Sequence, residues 1–175
     1  MHGITISGSD PLDLLLKPVA QYLDACWWYI GDPGNVGHSP PLPWPADRHP
    51  TDAEMAQWLA ASEAAGEELF RFVERDRPVA LPGFFSRYGG ALGTDWTSYW
   101  ACDPIDEPAA ALGAVAALRI DWFAAPPVLP PEICLYCRNI DSAYWDVFFR
   151  DDWMLHAVRW PLGARAREYQ PHTRR

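Results

Sequence analysis

Apolar residues recur at helical spacing from Leu12 through Leu15, Leu16, Val19 and Leu23 to Cys26 and Trp27, marking one face of a first helix. Asp10 and Pro11 would open it, since an aspartate side chain can accept an exposed backbone N–H and proline at the first helical position gives up a donor that has no partner there. Pro18 falls inside the pattern and predicts a kink or an early end. A second stripe runs through Met55, Trp58, Leu59, Ser62, Gly66, Leu69, Phe72 and Val73. Thr51 and Glu54 precede it at capping-box spacing, each side chain placed to bind the other residue's backbone N–H. The small residues Ser62 and Gly66 leave room for a second backbone. Glutamates early in this helix and Arg71, Arg75 and Arg77 late in it suit the helix dipole, Glu67 and Arg71 form a favourable pair, and Pro78 ends the run. Between the two helices, 31–50 (GDPGNVGHSPPLPWPADRHP) has too many Gly and Pro residues for regular structure and reads as a surface loop.

Later periodicities are shorter. Residues 95–102 carry Trp96, Tyr99 and Trp100 and fit either a strand or a loop, whereas 109–118 favours helix by propensity. Leu118, Ile120 and Trp122 alternate with Arg119 and Asp121, which suggests a strand. The proline-rich connection AAPPVLPPE then leads to two alternating runs, 133–139 and 143–150, that form a hairpin. A three-residue loop of Ile140, Asp141 and Ser142 places Asn139 opposite Ala143, Cys137 opposite Trp145, Leu135 opposite Val147 and Ile133 opposite Phe149, giving one apolar face. A loop of two or four residues would set Leu135 against Asp146 instead. The odd loop leaves Cys134, Tyr136, Arg138, Tyr144, Asp146, Phe148 and Arg150 on the other face. Asp151 and Asp152 then start a short helix through His156 or Val158.

With 175 residues and 49% hydrophobic content, the chain suffices for one well-buried core, so a single domain over 1–175 is expected. The fold class expected is α+β, with N-terminal helices packed on a small antiparallel sheet formed mainly by the second half. A net charge of -9 disfavours a nucleic-acid partner, which needs clustered Lys and Arg, and suits a basic protein; acidity that serves only solubility is the plainer alternative. The first residues lack a basic stretch followed by a long apolar one, and no apolar run of about 18 residues occurs, so a cytoplasmic protein with neither signal nor membrane span is expected. The four cysteines, Cys26, Cys102, Cys134 and Cys137, then read as buried reduced thiols.

Candidate chemistry is sparse, and neither a catalytic residue, a cofactor nor a metal is assigned. Cys134 and Cys137 have C-x-x-C spacing, but on a regular strand the two thiols would point to opposite faces, and neither a second such pair nor a histidine pair completes a tetrahedral site. Asp152 and His156 stand one helical turn apart, the arrangement in which a carboxylate can orient an imidazole, although a capping Asp beside an unrelated His is the plainer explanation. GGALG lacks the Lys-Ser/Thr of a phosphate loop and reads as a turn. A small enzyme would have to gather dispersed residues such as Asp95, Asp103, Asp152 and His156. The second hairpin face offers a different use, because Tyr, Phe and Arg are the residues of binding hot spots; one of the protein's own helices could also cover it, with Arg138 and Asp146 paired locally. As a partner-binding surface it comprises Tyr136, Arg138, Tyr144, Asp146 and Phe148, with Asp151 and Asp152 as anchors for a basic partner.

The segment CLYCRNIDSAYWDVFFRDDWMLHAV, which lies within the last quarter of the chain, resembles the strand, turn, strand and acidic-helix endings of small immunity proteins encoded beside bacterial contact-dependent or type VI toxins. That resemblance implies a cytosolic inhibitor that binds a cognate toxin domain and blocks its active site.

Overall fold

The computed structural model describes residues 1–8, 10–31, 48–75, 79–80, 82–92, 96–118, 121–141 and 143–172. Among the described residues seven strands form one antiparallel sheet: β1 (His2–Ser7), β2 (Trp27–Ile30), β3 (Val79–Ala80), β4 (Ser98–Cys102), β5 (Ile133–Ile140), β6 (Tyr144–Phe149) and β7 (Ala166–Glu168), in the order β3-β2-β4-β5-β6-β1-β7. The α+β class therefore holds, but the sheet is neither small nor mainly from the second half. In β1, which pairs with β6 and β7, Ile4 and Ile6 alternate with Thr5 and enter the core on one face of the sheet, and β2 is the aromatic run Trp27–Ile30.

The first helix divides as Pro18 requires. It consists of α1 (Leu12–Leu15), a 3-10 turn over Lys17–Val19 and α2 (Ala20–Ala25), after which the chain enters β2, so Trp27 is a strand residue and not a helical one. Pro11 rather than Asp10 occupies the N-cap position of α1, and no side chain caps it; the Asp10 carboxylate instead meets Arg165. Leu12, Leu15, Leu16, Val19 and Leu23 pack on one face of the sheet against Ile4, Ile6, Trp28, Leu135, Trp145 and Val147. Phe84 and Phe85 of α4 (Phe84–Tyr88) and Met154 and Val158 of α6 (Asp152–Leu162) complete this layer. The opposite face receives α5 (Ala109–Ala116), through Ala111, Leu112 and Val115.

The capping box forms as read, with the Thr51 N–H donating to the Glu54 carboxylate (2.9 Å) and the Glu54 N–H to the Thr51 hydroxyl (3.3 Å). It opens α3 (Asp52–Arg75), yet the first half of that helix does not pack on the sheet: Leu59 is 53% exposed and Met55 is exposed as well. The side chains of Ser62, Gly66, Leu69, Phe72 and Val73 lie outside the described residues, as does Pro78, and so does most of the 31–50 loop. Among the described residues no helix is long and apolar enough to cross a membrane.

Residues 98–102 resolve as strand β4, and 109–116 as helix. Residues 121–124 form a turn and not the strand that Leu118, Ile120 and Trp122 suggested; 119–120 lie outside the described residues. The hairpin keeps its odd loop but shifts by two residues, pairing Leu135 with Phe149, Cys137 with Val147, Asn139 with Trp145 and Ile140 with Tyr144. The loop is thus 141–143, entered through Asp141 at φ 55. Parity is unchanged, so Leu135, Cys137, Trp145, Val147 and Phe149 still share the apolar face, and Asn139 is buried among them. One end departs from alternation. A bulge where β4 meets β5 sends Ile133 to the α5 side and Cys134 to the other, the reverse of the simple pattern.

Trp145 is fully buried, and its indole N–H donates to the Asp10 carbonyl (3.1 Å) at the entry to α1. Trp145→Ala is expected to cost about 3–5 kcal/mol; urea denaturation measures it, and a loss below about 1 kcal/mol would mean the site collapses without harm. The forked Arg48 contact, followed by the Thr51 backbone and hydroxyl, holds the Glu54 carboxyl down to about 2. A lowered folded pKa favours the capped turn above 4.5, the ordinary value, and that advantage disappears as pH falls through about 2. An NMR titration of the Glu54 carboxyl should give this low midpoint, and an unshifted one would show the cap to be absent in solution.

Candidate functional site

On the α5 side of the sheet, two adjacent rungs of residues cross the strands in register. One is polar: Thr5, Asp146, Arg138 and Ser98 stand side by side on β1, β6, β5 and β4. The next is aromatic and runs through Phe148, Tyr136, Trp100 and Tyr29, with ring centroids 5.5, 5.0 and 5.3 Å apart. Gly3 sits beside Phe148 in this rung because a Cβ there would come within 2.5 Å of the Phe148 ring. Tyr169 closes the row edge-on to Phe148 (4.7 Å, 71°).

Arg138 is the centre of the polar rung. Its Nε donates to Asp146 Oδ2 (3.0 Å), Nη1 to the Asp121 carbonyl (3.0 Å), and Nη2 to the Ala124 carbonyl (3.0 Å) and the Tyr169 hydroxyl (2.9 Å). Asp146 also accepts from Thr5 Oγ1 (2.7 Å) and lies 2.8 Å from His172 Nε2. The guanidinium stacks over Phe148 and Tyr169 at 5.6 and 5.7 Å. Burial pushes the Tyr136 hydroxyl up to about 12.

This geometry corrects the reading of the second hairpin face as an exposed surface. Tyr136, Arg138, Asp146 and Phe148 are buried, because α5, the 121–124 turn and the C-terminal residues Tyr169 and His172 cover them. Tyr144, at the hairpin mouth, is half-buried against the His172 ring at 4.7 Å. Asp151 and Asp152 remain accessible at the start of α6.

Around those two aspartates the chain assembles a second polar group. Arg150 bridges Asp103 and Asp151 and donates to the Pro131 carbonyl, while the Tyr22 hydroxyl donates to Asp103 (2.6 Å). The hydrogen bond to Asp151, then that to Asp103, raises the Arg150 pKa; burial and the Asp103 bond raise that of Tyr22. The Asp151 carboxylate thus serves Arg150 and does not cap α6. Asp152 lies 3.4 Å from His2 Nε2, and the His156 ring meets the Asp152 backbone carbonyl (2.7 Å), not its carboxylate. The dispersed set Asp95, Asp103, Asp152 and His156 is therefore not drawn into an acid–base pair by any of these contacts; Asp95 lies outside the described residues.

The thiols also fall differently from the alternating pattern. The β5 bulge turns Cys134 toward Cys26 (Sγ–Sγ 3.8 Å) and places it on the same side as Cys137. Its contact with Cys26, and then burial, raises the Cys134 pKa, and burial alone raises that of Cys137. Among the described residues no three His, Cys, Asp or Glu side chains converge as metal ligands.

What the molecule does offer to solvent is the outer face of α6. Met154 and Val158 point inward, and Trp153, His156 and Trp160 follow at helical spacing on the outside. Trp153 is 52% exposed and stands edge-on to Tyr22 (5.5 Å, 88°); Trp160, two turns further on, is 89% exposed. Comparison of the chain with protein-family models, curated proteins and solved structures returned no match. Sequence reasoning did not single out the two tryptophans, although seven residues apart they share one side of the helix, about a third of a turn round from Met154 and Val158.

Arg138→Met or Asp146→Asn should each destabilise the fold by about 3–5 kcal/mol, since either change strands a buried charge, and replacing both with apolar residues should recover part of that loss. Chemical denaturation of the three variants tests this. Single variants as stable as the parent would show that the pair is accessible to water after all.

Proposed function

We propose that this chain is a binding protein of the immunity type, which neutralises a cognate toxin domain by docking on it. The observation that carries the reading is the exposure of Trp153 and Trp160 on a well-anchored helix. A tryptophan in water forgoes a large favourable burial, and tryptophan is among the residues most enriched at interface hot spots. Asp151 and Asp152 immediately precede Trp153, and the net charge of -9 favours approach to a basic surface. Leu14, 59% exposed on α1, adds a further apolar contact on the same helical layer. The resemblance of 134–158 to the endings of immunity proteins is what points to this class of binding protein. The partner-binding role first read for Tyr136, Arg138, Asp146 and Phe148 becomes indirect: they hold the hairpin from which α6 departs, whereas Asp151, Asp152 and the α6 tryptophans make the contact.

The test is co-expression with the product of the neighbouring reading frame, scored by growth for toxicity and its rescue, together with titration calorimetry on the purified pair. Trp153→Ala and Trp160→Ala should each weaken binding by at least about thirtyfold, the size of a hot-spot loss. Stability should change by no more than about 0.5 kcal/mol for Trp160→Ala, because its side chain is already in solvent. Unchanged affinity in both variants would remove α6 from the interface, and absence of any complex would end the immunity reading.

A further inference from the structure

Between the α1–α2 segment and α4 lies an open cleft of about 410 Å3, within the usual size range of ligand sites. Its apolar part is Phe85, buried at the base, and the exposed side chain of Leu14. Its polar part is Asp13, Asp24 and Lys17, so carboxylates outnumber ammonium groups by two to one. Asp24 accepts the Ser86 N–H through one oxygen (2.9 Å), and Asp13 accepts the Leu14 N–H through one of its own (2.8 Å). Each of these contacts occupies one oxygen of the carboxylate. The Asp13 carboxylate is held close to the backbone of the Gly89–Ala91 turn, where a Cβ on Gly90 would come within 3.2 Å of its Oδ2 and one on Gly89 within 3.1 Å of its Cβ. Substitution at either glycine would push this wall of the cleft away.

An apolar floor beside two carboxylates complements a side chain that has an aliphatic stem and a cationic head. Arginine suits it better than lysine, because the guanidinium presents several donors in one plane and is less strongly hydrated. The Lys17–Val19 turn that separates the cleft from α6 packs against α6, so one partner surface can cover both. We propose that this cleft takes an arginine side chain of the bound partner, an inference that rests on the reading of the chain as a binding protein and supplies the chemistry of one contact.

The probe is Nα-acetyl-arginine amide, titrated into the isotopically labelled full chain and followed by amide NMR shifts, with the neutral isostere Nα-acetyl-citrulline amide as comparison. The arginine probe should shift the amides of Leu14, Gln21 and Ser86 saturably and the citrulline probe should not. Asp13→Asn should weaken the probe about tenfold and Lys17→Gln should tighten it about threefold, as expected when one charge near a cation is removed. A gain of affinity cannot arise from misfolding, so the second variant stands on its own. Equal shifts with both probes, or no effect of either variant, would overturn the proposal. Because no partner is present in this titration, its result is separable from the fate of the immunity reading: tryptophan variants that lose the toxin while the probe fails to bind would reject the cleft alone.

Discussion

The buried pair of Arg138 and Asp146 governs how the second face of the sheet is covered. Withdrawing both ions from water costs several kcal/mol each, and their mutual attraction does not by itself offset that. The balance is restored by neighbours. Arg138 reaches two backbone carbonyls and a tyrosine hydroxyl besides its carboxylate, and Asp146 holds a threonine hydroxyl and a histidine ring as well. Charge-assisted hydrogen bonds of this kind contribute roughly 1.5–3 kcal/mol each, so the assembly comes near to break-even as a source of stability. Its larger effect is on specificity. An irregular turn at 121–124 and an extended C-terminal segment carry little regular structure of their own, and they are positioned because an arginine at the centre of the sheet needs their oxygens.

The adjacent aromatic rung depends on the same arrangement. Phe148 and Tyr169 lie under and beside the guanidinium while they continue the stack from Trp100 and Tyr136. The polar and aromatic rungs are neighbours on β4, β5 and β6, so a shift of register between β5 and β6 would separate the charges and break the stack together.

Much of this was legible in the sequence wherever a local rule decided the outcome. Pro18 divides the first helix, Thr51 and Glu54 cap the third, and the odd hairpin loop sorts 135–149 onto the correct faces. The rest depended on contacts distant in sequence. Placing Asn139 at the loop mouth was the natural choice for a polar residue, yet the strands pair two residues further along and bury it opposite Trp145. The bulge at Cys134 depends on β4, which alternation within β5 cannot register. A stretch as short as Ile4 to Ile6 carries too few alternations to announce a strand that pairs along both of its edges. The same limit explains the site. Tyr, Phe, Arg and Asp are residues of a partner interface and equally of an internal one, and only the covering segments, more than a dozen residues away on either side, distinguish the two cases.

The place of β1 also bears on how the molecule forms. A strand at residues 2–7 lies between strands at 144–149 and 166–168, so its pairings span nearly the whole chain. Closing loops of that length is entropically costly before any contact compensates, and such topologies fold slowly. Until β6 is available, Ile4 and Ile6 have no sheet to join, and until β7 follows the strand is paired along one edge only. During synthesis the first strand therefore waits for the last one, and for that interval both edges of the unfinished sheet are open to other chains.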